Sequence, residues 1–281
     1  MRTLSASEIT KTVKELCLKA NYEIGEPMID ALNKTLKDEK SPIGQTVLQQ
    51  IIDNDKYAKF ERLAICQDTG MTVVFVEVGQ EVLIVDGDYN EAIHEGVREA
   101  YKDGYLRKSV VKDPLFDRSN TQDNTPAVIH TSIVKGNQIK IEVMPKGFGS
   151  ENMSSIKMFP PSVGLEGVKR FILETVEKAG PNACPPMIVG VGIGGTFEKA
   201  ALIAKEAVLR GVGNPNPHPK YAQLERELIL SINDLGIGPA GLGGTTTALS
   251  INIEYYPTHI ASIPVAINIS CHASRHASAI L

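Results

Sequence analysis

The stretch that most constrains this chain is Asn182-Ala-Cys-Pro-Pro-Met-Ile-Val-Gly-Val-Gly-Ile-Gly-Gly-Thr-Phe-Glu198. A short apolar run, Met187 to Val191, leads into glycines at 190, 192, 194 and 195, and a helical pattern opens near Thr196. Read as strand, turn and helix, this looks like the entrance to a dinucleotide fold. The glycine spacing departs from G-x-G-x-x-G, however, and no acidic strand end follows about 20 residues on. That place falls inside the helix carrying Lys205 and Arg210. Close packing of a strand on a helix is the preferred reading of these glycines, with nicotinamide binding the lesser one. The informative residue is Cys184, just ahead of the run.

Three more cysteines, Cys17, Cys66 and Cys271, lie far from it in a chain of 281 residues. Disulfide staples suit small secreted domains, so free thiols or metal ligands are expected here. The length has room for one large domain or two ordinary ones. Residues 1–281 are read as a single domain of mixed α/β class, helices around a mixed sheet, with 1–60 a helical layer and 61–281 the body. Hydrophobic residues are 42% of the chain and charged ones 22%, at a net charge of −4. That balance argues against a nucleic-acid partner. No apolar run approaches the roughly 20 residues of a membrane helix, and the N-terminus reads as a charged helix rather than a signal peptide. A cytoplasmic protein is expected. With no Trp and only 5% aromatics, polar substrates fit better than flat rings.

In chain order, Ser7 is expected to cap a helix whose stripe is Ile9, Val13, Leu16 and Ala20, with Cys17 beside it as a small core residue. Helices follow over Met28 to Lys37 and from Ile43 toward Phe60. Cys66-Gln-Asp-Thr-Gly70 then feeds a strand, Met71 to Val78. A helix from Tyr89 stops at Asp103-Gly104. A polar run from Arg107 through Arg118 to Asn120-Thr-Gln-Asp-Asn-Thr-Pro126 precedes strands at Ala127 to Val134 and Gln138 to Met144. Lys146-Gly-Phe-Gly-Ser-Glu-Asn152 offers glycine amides and a positive charge to an anion. Helices are expected over Gly164 to Lys178, from Thr196 to Arg210 and over Tyr221 to Leu235, and strands at Thr245 to Ile253 and Ile263 to Ile269.

The absence of any C-x-x-C pair argues against a zinc ribbon and a ferredoxin-like carrier. With Cys17 assigned to the core, three thiols remain. A cubane held by three thiolates leaves one iron open as a Lewis acid able to hold a hydroxyl and a carboxylate. Asp68, two positions from Cys66, is the preferred acid.

Read together, Cys66-Gln-Asp-Thr-Gly70, Asn120 to Pro126, Lys146 to Asn152, Ala183-Cys-Pro-Pro186, the 190–195 glycines and Ser270-Cys-His-Ala-Ser-Arg-His276 resemble the iron–sulfur (class I) fumarate hydratases and their L-tartrate dehydratase relatives. The resemblance runs through the whole chain, in order, and is to the α subunit of the two-subunit form. It implies that Cys66, Cys184 and Cys271 hold a [4Fe–4S] cluster. It further implies that Asp68 transfers a proton, that Gln67 lies against the substrate, and that Gly149 and the Phe148 amide contact a carboxylate, where many relatives have glycine at the position of Phe148. Arg107, in preference to Arg118, would pair with carboxylate, and His259 matches a substrate-side histidine. Because single-chain relatives continue into a further domain with substrate-binding and base residues, the stop at Leu281 implies a β-subunit partner. The implied reaction is reversible hydration of fumarate to (S)-malate, with dehydration of tartrate to oxaloacetate as the alternative. A cluster protein that only carries electrons or senses oxygen is a further one.

Overall fold

The computed structural model describes residues 2–281. The chain opens with β1 (Arg2–Ser5) and α1 (Ala6–Tyr22), then α2 (Glu26–Asp38) and α3 (Pro42–Glu61). There follow β2 (Met71–Gly79), β3 (Val82–Val85), α4 (Tyr89–Asp103), β4 (Val128–Val134), β5 (Ile139–Lys146), the single turn α5 (Phe148–Glu151) and β6 (Ser155–Phe159). The remainder is α6 (Gly164–Ala179), β7 (Met187–Gly194), α7 (Phe197–Leu209), α8 (Pro219–Asn233), β8 (Ala248–Tyr256), β9 (Ile263–Ser270) and β10 (Ala277–Ile280). The fold is mixed α/β, as the sequence predicts. No helix among the described residues is long and apolar enough to cross a membrane.

The residues form two compact units. The first holds the N-terminal segment to Ile24, Asn54–Phe148 and Arg275–Leu281; the second holds Gly25–Asp53 and Gly149–Ser274. The N-terminal helices are therefore divided: α1 lies in the first unit, α2 in the second, and α3 runs from one to the other.

The first unit is built on a sheet of order β10-β5-β2-β4, in which β2 is parallel to β4 and antiparallel to β5. Its core joins α1 (Ile9, Val13, Leu16, Cys17), α4 (Ile93, Val97, Tyr101) and the sheet (Val74, Val76, Ile141, Val143). Ser5, rather than the expected Ser7, caps α1. Its hydroxyl accepts from the Ser7 N–H, and Glu8 completes a capping box, which three-residue spacing allows from Ser5 only. Cys17 has no solvent exposure, and burial pushes its thiol up to about 12. It is the small core residue expected.

The second unit has a sheet of order β6-β9-β7-β8, with β7 parallel to β8 and antiparallel to β9. Side chains of a strand alternate between faces, and β7 uses this fully. Met187, Val189 and Val191 join α6 and α8 in one core, while Gly190 and Gly192 face α7. A Cβ at Gly190 would lie 2.2 Å from the Ala204 carbonyl oxygen, and one at Gly192 2.1 Å from that of Ala200. Those glycines belong to the strand and serve helix packing; the turn itself is confined to Gly194 and Gly195, both at positive φ. The strand expected from Thr245 begins at Ala248 instead. The Thr245 and Thr246 N–H groups are taken by the Glu39 carboxylate, and those of Thr247 and Ala248 by Asn233 Oδ1.

Candidate active site

In the first unit the segment Leu63–Gly70 has no helix or strand of its own, so its backbone polar groups need other partners. They are supplied from several elements. Asn21 of α1 offers its carbonyl to the Ile65 N–H at 2.9 Å. Asn54 of α3 donates to the Ile65 carbonyl at 2.9 Å. The Tyr101 hydroxyl of α4 donates to the Thr69 carbonyl at 2.6 Å and reaches that of Gly70 at 3.2 Å. Asn124 Nδ2 donates to the Gly70 carbonyl at 3.1 Å. Gly70 itself has φ +74°, and a Cβ there would lie 2.6 Å from the Lys146 carbonyl, so the turn requires glycine.

At the tip of this turn Cys66 and Gln67 are exposed and Asp68 is half-buried. Asp68 Oδ1 accepts from the Gly70 N–H at 3.1 Å and Oδ2 from the Phe148 N–H at 2.8 Å. The Phe148 amide, expected to meet a substrate carboxylate, is thus committed to Asp68. Lys146 is buried, with Nζ donating to the Gly147 carbonyl at 3.1 Å, which sets it back from the surface. Of the two candidate arginines, Arg107 is exposed and its carbonyl accepts from the Thr69 hydroxyl at 2.6 Å, which ties it to the Cys66 turn. Arg118 is engaged within its own loop, donating to the Pro114 carbonyl at 2.7 Å. Asp123, in the Asn120–Pro126 block, is held near pKa 2. Burial would raise it, but the Thr125 N–H and hydroxyl and the Arg98 guanidinium prevail.

In the second unit, Cys184 stands three residues before β7 and Cys271 directly after β9. Because these strands are antiparallel, with Ile188 opposite Ser270, both cysteines emerge at the same end of the sheet. The His272 N–H donates to the Cys184 carbonyl at 3.3 Å. Cys184 has φ +52° and ψ +65°, a conformation that side-chain-bearing residues adopt at a cost and that clusters at functional sites. Gly149 is exposed, and a Cβ there would meet nothing closer than the Asn182 carbonyl at 3.7 Å. Neither packing nor φ demands this glycine, whereas close approach of a ligand to its amide would.

His259 is set apart. It lies in the loop between β8 and β9, where Thr258 donates to the Gly195 carbonyl and Tyr256 pairs with Gly194. That is the opposite end of the sheet from Cys184 and Cys271, on the order of 20 Å away at about 3.3 Å per strand residue. Within this unit the structure does not bring His259 to the cysteine pair. Nothing in the local sequence could have shown this, because it follows from strand direction.

None of the four cysteines is in a disulfide; Cys66 and Cys184 are exposed, Cys271 is half-buried and Cys17 is sealed. Among the described residues no three His, Cys, Asp or Glu side chains are gathered closely enough to hold a single metal ion. The first unit thus presents an exposed Cys66-Gln67 turn with Asp68 oriented by two amides, and the second an accessible cysteine pair at one sheet end and an open Gly149 amide. Comparison with known proteins supplies the class. The sequence matches the fumarate hydratase (Fumerase) family over residues 10–280, and the chain belongs to that family. It is 41% identical over 274 residues to the putative L(+)-tartrate dehydratase subunit alpha of Methanocaldococcus jannaschii, covering 96% of each chain. It is 34% identical over 276 residues to the L(+)-tartrate dehydratase subunit alpha of Escherichia coli K12, covering 96% of this chain and 90% of that one. The protein is a hydro-lyase.

Proposed function

We propose that this chain is the α subunit of an iron–sulfur hydro-lyase that adds water to, or removes it from, a four-carbon dicarboxylic acid. The observation that carries this reading is the convergence of Cys184 and Cys271 at one end of the β7–β9 pair. The donor set fits a cluster, since thiolates that hold one must be accessible to iron, and the three candidate thiols are the accessible ones while Cys17 is not. Cys66, Cys184 and Cys271 would hold it. When bound, a cluster with one open iron supplies Lewis-acid stabilisation to a hydroxyl and an adjacent carboxylate.

The chain's own residues then do the following. Asp68, oriented by the Phe148 and Gly70 amides, holds and moves a proton at its carboxylate. The Gly149 N–H and the Arg107 guanidinium bind the substrate carboxylates, the arginine as a two-pronged donor. Gln67 lies against the substrate from the same turn as Asp68. Phe148 acts by orienting Asp68, and His259 is left outside this part of the site. A β subunit supplies the remaining substrate contacts and the base that takes the C3 proton, in keeping with the α-subunit names of the relatives.

Hydration of fumarate to (S)-malate is the reading that the family's description favours. Dehydration of L(+)-tartrate to oxaloacetate is the second, favoured by the names of both relatives. An anaerobic assay of the chain reconstituted with iron, sulfide and its partner decides between them: turnover of fumarate and malate, or of L(+)-tartrate. Turnover that is undiminished by complete removal of iron would overturn both.

A further inference from the structure

Arg275 lies in the Ser270–His276 block, four positions after Cys271, and the reading above gives it no role. It is 3% exposed. Nη2 donates to the Asp68 carbonyl at 2.6 Å, Nη1 reaches Asn21 Oδ1 at 3.5 Å, and Nε has no partner among the described residues. A buried guanidinium with an unpaired N–H costs stability, so packing alone does not explain it. Its place in the turn does. The Ile65 carbonyl is taken by Asn54, that of Gln67 by the Thr69 N–H, that of Thr69 by Tyr101 and that of Gly70 by Tyr101 and Asn124. Between these anchors, at the reactive end, Arg275 holds the Asp68 carbonyl. Its head also lies beneath Gly147, where a Cβ would come within 3.2 Å of Asp68 Oδ2 and 3.7 Å of Arg275 Nη2.

We propose that Arg275, with Tyr101, is a positioning residue: the two donors fix the Asp68–Gly70 backbone from beneath and so set the direction of the Asp68 carboxylate and of the Cys66 thiol on the same turn. This deepens the hydro-lyase reading and rests on it for its consequence in catalysis. The geometric part stands without it. Loosening the turn releases Asp68 together with Gln67, and Arg107 is tied to the same turn through Thr69, so the loss falls on kcat and KM together. Residues that orient ligands to metal typically change activity or metal affinity by about 10–100-fold when replaced.

The test uses R275Q, R275K and Y101F in the full chain, with amide hydrogen exchange read by mass spectrometry. R275Q speeds exchange about tenfold or more across 63–72 while peptides covering β7 and β8 are unchanged. R275K, which keeps the charge and one donor, restores part of the protection. Y101F keeps the buried ring and loses only the hydroxyl, so it folds and carries the test should R275Q not fold. In the reconstituted complex, R275Q and Y101F lower kcat/KM by about tenfold or more and release iron to a chelator faster than wild type. Unchanged exchange across 63–72 in both R275Q and Y101F overturns the proposal. So does a uniform loss of protection along the chain, which marks a general packing role. The exchange readout needs neither iron nor substrate. Local loosening in variants of a protein that proves inactive on every dicarboxylate would therefore sink the hydro-lyase reading and leave the positioning role standing.

Discussion

The two cysteine-bearing turns are supported in different ways. The Cys66 turn has no regular structure, and three neutral side chains and one guanidinium, from Asn54, Tyr101, Asn124 and Arg275, hold it carbonyl by carbonyl. Cys184 and Cys271 are instead placed by the sheet itself, since strands β7 and β9 deliver them in antiparallel register. The loop behind Cys184 is held through backbone: the Ala240 N–H donates to the Pro185 carbonyl at 2.8 Å, and the Glu39 carboxylate accepts from Lys40, Ser41, Thr245 and Thr246. One turn depends on individual polar atoms, the other on a sheet and one carboxylate. A site assembled from the first kind of turn can be tuned residue by residue; the second tolerates surface change and fails only when the sheet or its packing does.

Each unit also buries a carboxylate, and the two behave oppositely. Asp55, 6% exposed in the first unit, has no hydrogen-bond partner for either oxygen among the described residues, and burial pushes it up to about 7. Glu39, 2% exposed in the second, would be raised by burial too, but the amides of Ser41, Thr245 and Lys40 overcome that and hold it below its usual 4.5.

On the proposed function, the largest effect separates the accessible thiols from the buried one. C184S and C66S lose bound iron and turnover to below detection, measured by iron content and anaerobic assay, while C17S keeps both and changes only the melting temperature. Equal loss in C17S would erase the distinction between accessible and buried sulfur.

Asp55 gives the next. Its folded pKa lies above the unfolded 3.8, so the folded state keeps its proton longer. Stability is then lost as pH rises from about 4 through about 7, by up to about 4 kcal/mol. D55N removes this slope in denaturant melts followed from pH 4 to 8. A wild-type curve that is flat over that window refutes the assignment.

G190A tests the sheet as the support of the cysteine pair. Its Cβ would overlap the α7 backbone at Ala204, so the variant loses about 3 kcal/mol, read as a fall in urea midpoint. Full stability would mean that α7 can shift freely from β7.

E39Q probes the smallest difference. Replacing a charged acceptor of several N–H groups costs about 2 kcal/mol at neutral pH. Because the Glu39 folded pKa is depressed, its contribution is present above pH 4.5 and is lost as pH falls through the folded value. The gap between wild type and E39Q therefore narrows in acid. A gap that stays constant down to pH 3 would remove Glu39 as the charge behind the loop.

Much of this was legible in the sequence. Apolar periodicity located α1, α4, α6 and α7 within a few residues, because each buries one clear stripe. β-branched runs located β2, β5 and β9. The strands β1, β3, β6 and β10 were not legible, since four or five residues on a half-exposed edge carry too little pattern. Among the candidate site residues, setting Cys17 aside left three thiols and adjacency to Cys66 picked out Asp68, while the role of the thiols came from the family resemblance alone. Arg275 could not be found this way, because its partners Asn21 and Asp68 are separated from it by most of the chain.

What the amino-acid order alone determined was the α/β class, the burial of Cys17 and the three remaining thiols as candidates. Those follow from local pattern: stripe periodicity, turn chemistry and residue type. The tertiary structure decided that Cys184 and Cys271 share a sheet end while His259 lies at the other, that the Phe148 amide serves Asp68, and that Gly190 and Gly192 exist for α7. Each of these depends on strand direction or on contacts between residues distant in sequence, which chain folding sets and no local pattern records.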